Sequence, residues 1–187
     1  MELRDYIRIY DDVVPVETIA NLVKVASEIN FETATVNVGE VNKKIRSTNV
    51  KNLSNLSNSM TEVHWHNLLL KIIKHNLITY EKEFNILEGT ISSKIINIDL
   101  LKYNQFDKYT WHWDHFASSP RTLSCILLLN NDYEGGNLCF REPKGENEFS
   151  IENRPGRLII WPSTFLYPHC VKPVLKGTRY SVVLWTL

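Results

Sequence analysis

An imidazole and a carboxylate stand two residues apart in the string Tyr109-Thr-Trp-His112-Trp-Asp114, and a third potential ligand, His169, follows 55 residues later. Side chains two apart on a strand point to the same face, so His112 and Asp114 can aim at one ion while Trp113 faces the other way. The third ligand has to come from another strand, and the intervening chain is long enough for several strands to return it to the same place. Two imidazoles and one carboxylate leave about three positions open on an octahedral non-haem iron(II) ion. Three ligands and a water equally describe a catalytic zinc site. A His-x-Asp taken alone is common in ordinary hydrogen-bonding roles, so the triad by itself leaves iron, zinc and no metal open. His64, His66 and His75 fall in a helical stretch where packed or solvated histidines are the rule, and the first two point to different faces. His115 neighbours Asp114 but points to the opposite face.

Arg179 follows His169 by ten residues, at the start of the run Arg179-Tyr-Ser181-Val-Val-Leu-Trp185. A guanidinium inside a small barrel requires a carboxylate or phosphate partner, because an unpaired buried charge is very costly. A dicarboxylate chelating the metal at one end would supply that partner at the other. The alternative is an ordinary salt bridge to a surface Asp or Glu.

The elements that must position these groups divide by composition. Apolar residues at helical spacing (Ile19, Leu22, Val23, Ala26, Ile29) predict a helix over 16–29, with Pro15 suited to its start. A longer helix is expected over 60–84, with Val63, Leu69, Ile72, Ile73 and Tyr80 on its buried face. Short strands are expected over 6–10 and 31–38, and the Asn-, Ser- and Lys-rich stretch 39–59 reads as a long loop or weak hairpin. From residue 94 the chain turns β-rich, with runs over 95–103, 109–114, 123–129, 137–141, 157–161 and 179–185 separated by Asn-Asp, Gly-Gly and Pro-Gly turn signals. Helices followed by an all-β block predict an α+β fold, a double-stranded β-helix (jelly-roll or cupin-like) core buttressed by N-terminal helices. The expected organisation is a single domain, 1–187, with helical support over roughly 1–93 and the β-core over 94–187.

Composition narrows the function classes. Hydrophobic residues make up 43% of the 187, which suits a packed globular core. Lys and Arg balance Asp and Glu at 21 each, so no net field favours nucleic acid or an anionic membrane. Cys125, Cys139 and Cys170 are odd in number and lack paired spacing, which points to a reducing compartment. The first residues, Met1-Glu-Leu-Arg-Asp, carry no secretory pattern, and no apolar run reaches the ~18 residues needed to span a bilayer. The expectation is a soluble cytoplasmic protein without membrane or nucleic-acid partners.

The C-terminal half resembles the iron(II)/2-oxoglutarate-dependent oxygenases, in particular their prolyl 4-hydroxylase-like branch. The resemblance rests on Tyr103 with His112 and Asp114, the Glu134-Gly135-Gly136 turn, Pro155-Gly156-Arg-Leu-Ile-Ile-Trp161-Pro162, His169, and Gly177-Thr-Arg179-Tyr-Ser181. It implies iron(II) on His112, Asp114 and His169, with no catalytic group beyond the metal centre. It further implies that 2-oxoglutarate is held by Arg179 through its distal carboxylate, by a Tyr103 hydroxyl, and beside Ser181 and Trp185; a core position for Trp185 is the alternative. O₂ is the co-reactant, succinate and CO₂ the co-products, and ascorbate a supporting reductant. Arg121 resembles a substrate-side arginine of prolyl 4-hydroxylases, and Lys44-Ile-Arg46-Ser47-Thr48 an Arg-Ser/Thr segment of their substrate loop. Trp113, with Trp111, is a candidate wall for a proline ring, sheet packing being the alternative. Two departures stand out: Phe106 where Gly is usual, and Leu138 where a polar residue often follows the Gly-Gly turn.

The resemblance therefore implies a dioxygenase that hydroxylates an unactivated C–H bond, with peptidyl proline in a peptide or protein as the leading substrate. A free amino acid or other small metabolite is the alternative within enzymes. From a different class come a jelly-roll module holding metal without turnover and a carbohydrate-binding β-sandwich. Nucleic-acid demethylases of the superfamily normally carry a second arginine where this chain has Trp185, which argues against that substrate class.

Overall fold

A computed structural model describes residues 2–36 and 40–187. A 3₁₀ turn, Leu3–Tyr6, leads into β1 (Arg8–Tyr10), α1 (Val16–Glu28), β2 (Glu32–Thr33), β3 (Asn49–Asn52) and α2 (Met60–Glu83). Then follow β4 (Ile95–Tyr103), β5 (Tyr109–His112), β6 (Leu123–Leu128), β7 (Glu134–Gly135), β8 (Leu138–Phe140) and β9 (Phe149–Ser150). The chain ends with β10 (Leu158–Pro162), β11 (His169–Val171), β12 (Val174–Lys176) and β13 (Arg179–Thr186). A seven-stranded sheet in the order β1-β10-β6-β13-β4-β3-β2 faces a four-stranded sheet, β5-β11-β8-β9, and β12 pairs with β7. This is the two-sheet architecture expected for a double-stranded β-helix, with both helices against the larger sheet.

Period-two alternation splits the large sheet into two unlike faces. Ile98, Leu100, Leu123, Cys125, Leu127, Leu158, Ile160, Val182 and Leu184 point to the helices and join Ile19, Leu22, Ala26, Leu69, Ile73 and Leu77 in one apolar cluster. The alternate residues, among them Leu101, Tyr103, Ile126, Ile159, Trp161, Val183 and Trp185, face the small sheet and meet Leu138, Phe140 and Val171. Because both faces are covered, β6, β10 and β13 read as nearly unbroken apolar runs.

The second helix starts at a capping box: Ser59 accepts from the Glu62 N–H at 3.3 Å, and Glu62 accepts from the Ser59 N–H at 2.6 Å. Glu62 also pairs with Lys51 of β3 at 2.8 Å, tying helix to sheet edge. Its buried stripe is Trp65, Leu69, Ile73, Leu77 and Tyr80; Val63 and Ile72 sit at its margins instead of on it. In its last turn Glu81 is fully buried and accepts from the N–H groups of Gly89, Ile91 and Ser92, beyond the helix, and from the Ser92 hydroxyl, at 2.6–3.0 Å. Burial alone pushes this carboxyl up, but the donors outweigh it and hold its pKa below the usual range.

Several expectations change. The first strand begins at Arg8, after the 3₁₀ turn. The polar stretch expected to be a loop contains β3, which pairs antiparallel with β4 from Asn49↔Lys102 to Asn52↔Asp99. Backbone pairing makes it a strand, while its half-buried side chains leave little apolar pattern. The expected strand over 31–38 is reduced to Glu32–Thr33 and an isolated bridge from Val36 to Glu40; residues 37–39 lie outside the described residues. The region before residue 94 is thus not purely helical support, since β1, β2 and β3 extend the main sheet. The strand expected over 109–114 stops at His112.

Candidate metal centre and the cavity in front of it

His112 ends β5 and His169 begins β11, and the two are register partners across the small sheet, with ring centroids 4.2 Å apart. Asp114 lies past the end of β5, where its N–H donates to Ser163 O at 3.2 Å. Same-face strand spacing therefore does not place it; this turn against the end of β10 does. One ligand atom from each of His112, Asp114 and His169 lies within 4.8 Å of the others, the spacing of a shared ion.

The backbone sets the tautomers. His112 Nδ1 is 2.7 Å from Thr110 O and His169 Nδ1 is 3.1 Å from Tyr167 O. A carbonyl can only accept, so each Nδ1 carries a proton, and each Nε2 faces Asp114, at 3.7 and 3.4 Å from its oxygens. Burial, then the neighbouring His169, pushes the His112 pKa down to about 3. Burial would raise Asp114, but His169, His112 and the Ser124 hydroxyl hold its carboxyl well below the usual range. A neutral His112 imidazole beside an ionised Asp114 carboxylate has the protonation state that metal ligation needs. Ser124 Oγ donates to Asp114 Oδ2 at 2.7 Å and is itself 2.8 Å from Ser163 Oγ, which fixes the carboxylate plane. Tyr109 stacks on His112 at 3.6 Å and Trp161 meets His169 edge-on at 4.9 Å.

An open cavity of about 500 Å³ lies before the triad, with Tyr103, Arg46, Asp99, Arg121 and Trp185 among its walls. Arg121 lies over the Trp185 ring at 3.7 Å, with Nη1 3.7 Å from Asp114 Oδ1. Arg46 lies 4.9 Å over Tyr109. Arg179 is fully buried behind the cavity wall, 5.0 Å over the Tyr103 ring. Its Nη1 donates to Ser181 Oγ at 2.7 Å, while Nε and Nη2 have no partner among the described residues. Gly136 permits this packing: a Cβ there would meet Tyr133 and Arg179 at 3.0 and 3.1 Å, at a φ of +62°.

Residues 98–187 match the family model of the 2OG-Fe(II) oxygenase superfamily. That β-core is similar to the superfamily. A PKHD-type hydroxylase of Synechococcus sp. (strain CC9902) is 40% identical over 83 residues, 42% of this chain and 36% of that protein. A PKHD-type hydroxylase of Crocosphaera subtropica is 26% identical over 162 residues, 74% of this chain and 70% of that protein. The aligned stretch spans about a third of the length of the first of these relatives. Among solved structures, a prolyl hydroxylase of Trichoplax adhaerens, in complex with a hypoxia inducible factor peptide fragment, superposes with a TM-score of 0.76. The match covers 97% of this chain and 83% of that one, at 16% identity. A prolyl-4-hydroxylase of Pseudomonas putida gives 0.72 at 18% identity, over 97% and 92%. Both support a prolyl hydroxylase-like double-stranded β-helix. Iron(II) and 2-oxoglutarate are the cofactor and cosubstrate this oxygenase superfamily implies.

The fold brings His112, Asp114, His169, Tyr103, Arg121, Arg46 and Trp185 to the cavity and sets Arg179 and Ser181 behind its wall, while Trp113 stays apart. Trp113 lies past the end of β5, is 45% exposed and does not line the cavity. Trp111 also faces outward, under Arg141 at 4.3 Å and Lys172 at 5.3 Å. Leu138 is buried in the core between the sheets. Phe106, exposed, adopts φ +69°, the left-handed conformation that Gly takes freely. Ser124, Ser163, Tyr109 and Asp99 belong to the site and were not anticipated. Ser124 and Asp99 could have been, as polar residues at inward positions of apolar strands.

Proposed function

We propose that the chain is an iron(II)- and 2-oxoglutarate-dependent hydroxylase of peptidyl proline, converting R–H, O₂ and 2-oxoglutarate into R–OH, succinate and CO₂. The observation that carries this reading is the pairing of a buried His112–Asp114–His169 cluster, both Nε2 atoms facing inward, with a buried Arg179 whose Nε and Nη2 lack partners. His112, Asp114 and His169 would hold iron, which when bound supplies the oxidising power. The orphaned nitrogens of Arg179 suit the distal carboxylate of a 2-oxo-dicarboxylate, with Tyr103 and Ser181 beside it and Trp185 nearby. The Nδ1 hydrogen bonds hold both rings in the ligating tautomer, and Ser124 keeps Asp114 from rotating. Arg121 and Arg46 orient the substrate at the mouth. A module that binds metal without turnover has no use for an unpaired buried guanidinium behind the metal.

Residues 1–187 act in this reading as one domain, residues before 94 supporting the core. The substrate is a peptide or protein and not nucleic acid, ascorbate keeps the metal reduced, and three free buried cysteines suit a cytoplasmic setting. None of the helices among the described residues is long and apolar enough to cross a membrane. Succinate release with proline-containing peptides, together with +16 Da products by mass spectrometry, tests the proposal. Product with peptides supports it, and product only with free amino acids moves the substrate to a small metabolite. No 2-oxoglutarate consumption by the iron-loaded protein overturns it.

A further inference from the structure

Asp99 is a carboxylate without a partner among the described residues, set in the wall of the cavity. It is the one charged residue on the inward face of β4, between Asn97 and Leu101. Its Oδ1 is buried without a hydrogen-bond partner, and it forms no ion pair among the described residues. Burial raises its pKa to about 6, and the guanidinium groups of Arg46 and then Arg121 pull it back down. Both arginines therefore act on it through space without touching it. Each is also held from behind, Arg46 by Tyr109 and Arg121 by Trp185, and each has an Nε without a partner. Around one cavity stand two anchored cations and one anion, all with unsatisfied polar atoms. Leaving such atoms empty costs free energy, and a charged donor is the strongest partner a buried carboxylate can gain.

We infer that Asp99 is the specificity-determining residue of this site, accepting a hydrogen bond from a cationic nitrogen of the substrate while Arg46 and Arg121 take an adjacent carbonyl or carboxylate. This rests on the hydroxylase reading and names the substrate's chemistry within it. An ammonium or guanidinium can come from a basic side chain flanking the target residue of a peptide, or from the amino group of a free amino acid. Wild type alone tests the inference, and Asp99→Asn sharpens it, because the amide keeps the shape and removes the charge.

The experiment uses protein loaded anaerobically with iron(II) and 2-oxoglutarate. Quenching of tryptophan fluorescence measures binding of three end-blocked proline peptides whose flanking residue is Lys, Leu or Glu, and of free L-proline beside its N-acetyl derivative. The expected result is at least tenfold tighter binding of the Lys peptide than of the Leu and Glu peptides, or of L-proline than of N-acetylproline. Asp99→Asn should erase that preference. The first pattern assigns the cation to a peptide side chain, the second to a free amino acid. Equal binding across the panel, no binding of any cationic member, or a preference that survives Asp99→Asn overturns the inference. Peptide-stimulated succinate release without a charge preference would remove Asp99's role and leave the hydroxylase reading intact. Absence of any 2-oxoglutarate turnover removes that reading first.

Discussion

Two acidic side chains on either side of the main sheet have opposite surroundings. On the helix side, Glu81 at the end of α2 is fully buried, yet four donors from Gly89, Ile91 and Ser92 surround it and hold it ionised. On the cavity side, Asp99 has a buried oxygen with no donor, and its carboxyl titrates near 6. Arg179 and Trp185 on the same inward face also hold unpartnered polar atoms. The helix face satisfies its buried charge from within the chain and so contributes stability. The cavity face leaves Asp99 and Arg179 with unsatisfied atoms, at a cost to stability, and the proposed iron and cosubstrate site is where ligands would satisfy them.

The sharpest way to break this contrast is to remove groups from each face and read stability and activity separately. His112→Ala or His169→Ala should abolish iron binding and lower turnover by at least about 100-fold. The unfolding midpoint of the metal-free protein should hardly change. Glu81→Ala should do the reverse, costing about 3 kcal/mol in denaturant unfolding by stranding several donors, with turnover per folded molecule unchanged.

Glu81 also predicts a pH effect. Its folded pKa lies below the unfolded value, so its contribution is present above the usual carboxylate range and is lost as pH falls through the folded value. Asp99 has the opposite sign: its folded pKa is about 6 against 3.8, so wild-type stability declines as pH rises through that window. Asp99→Asn should therefore raise stability at pH 7 by about 1–2 kcal/mol, and little at pH 4, in matched urea titrations. Smallest of all, Phe106→Gly lies on neither face. It should stabilise the protein by about 1 kcal/mol by relieving a left-handed non-glycine residue, without altering turnover.

Much of this was legible in the sequence where chemistry or periodicity is dense. The candidate ligands His112, Asp114 and His169, and Arg179, announce themselves by residue type, and α1, α2, β4 and β6 by apolar spacing. β3 was not legible because its Asn-Val-Lys-Asn side chains are only half-buried and its strand character lies in backbone pairing with β4. β7, β9, β11 and β12 have two or three residues each, too few for any period to register. The outward turn of Trp113 depends on β5 ending at His112, which follows from the Asp114 N–H bonding Ser163, far away in sequence. Asp99 is legible as a polar residue at an inward position of an apolar strand, but its lack of a partner depends on residues distant in sequence.

The central claim is that the cavity face is completed by iron and a dicarboxylate. Anaerobic titration of the metal-free protein with iron(II) and then 2-oxoglutarate tests it most directly, with Arg179→Met as the comparison. The account predicts a weak visible charge-transfer band in wild type that saturates with 2-oxoglutarate, and a variant that folds but needs far more 2-oxoglutarate to reach it. A folded wild-type protein that shows no such band, or a variant that saturates at the same concentration, would contradict it.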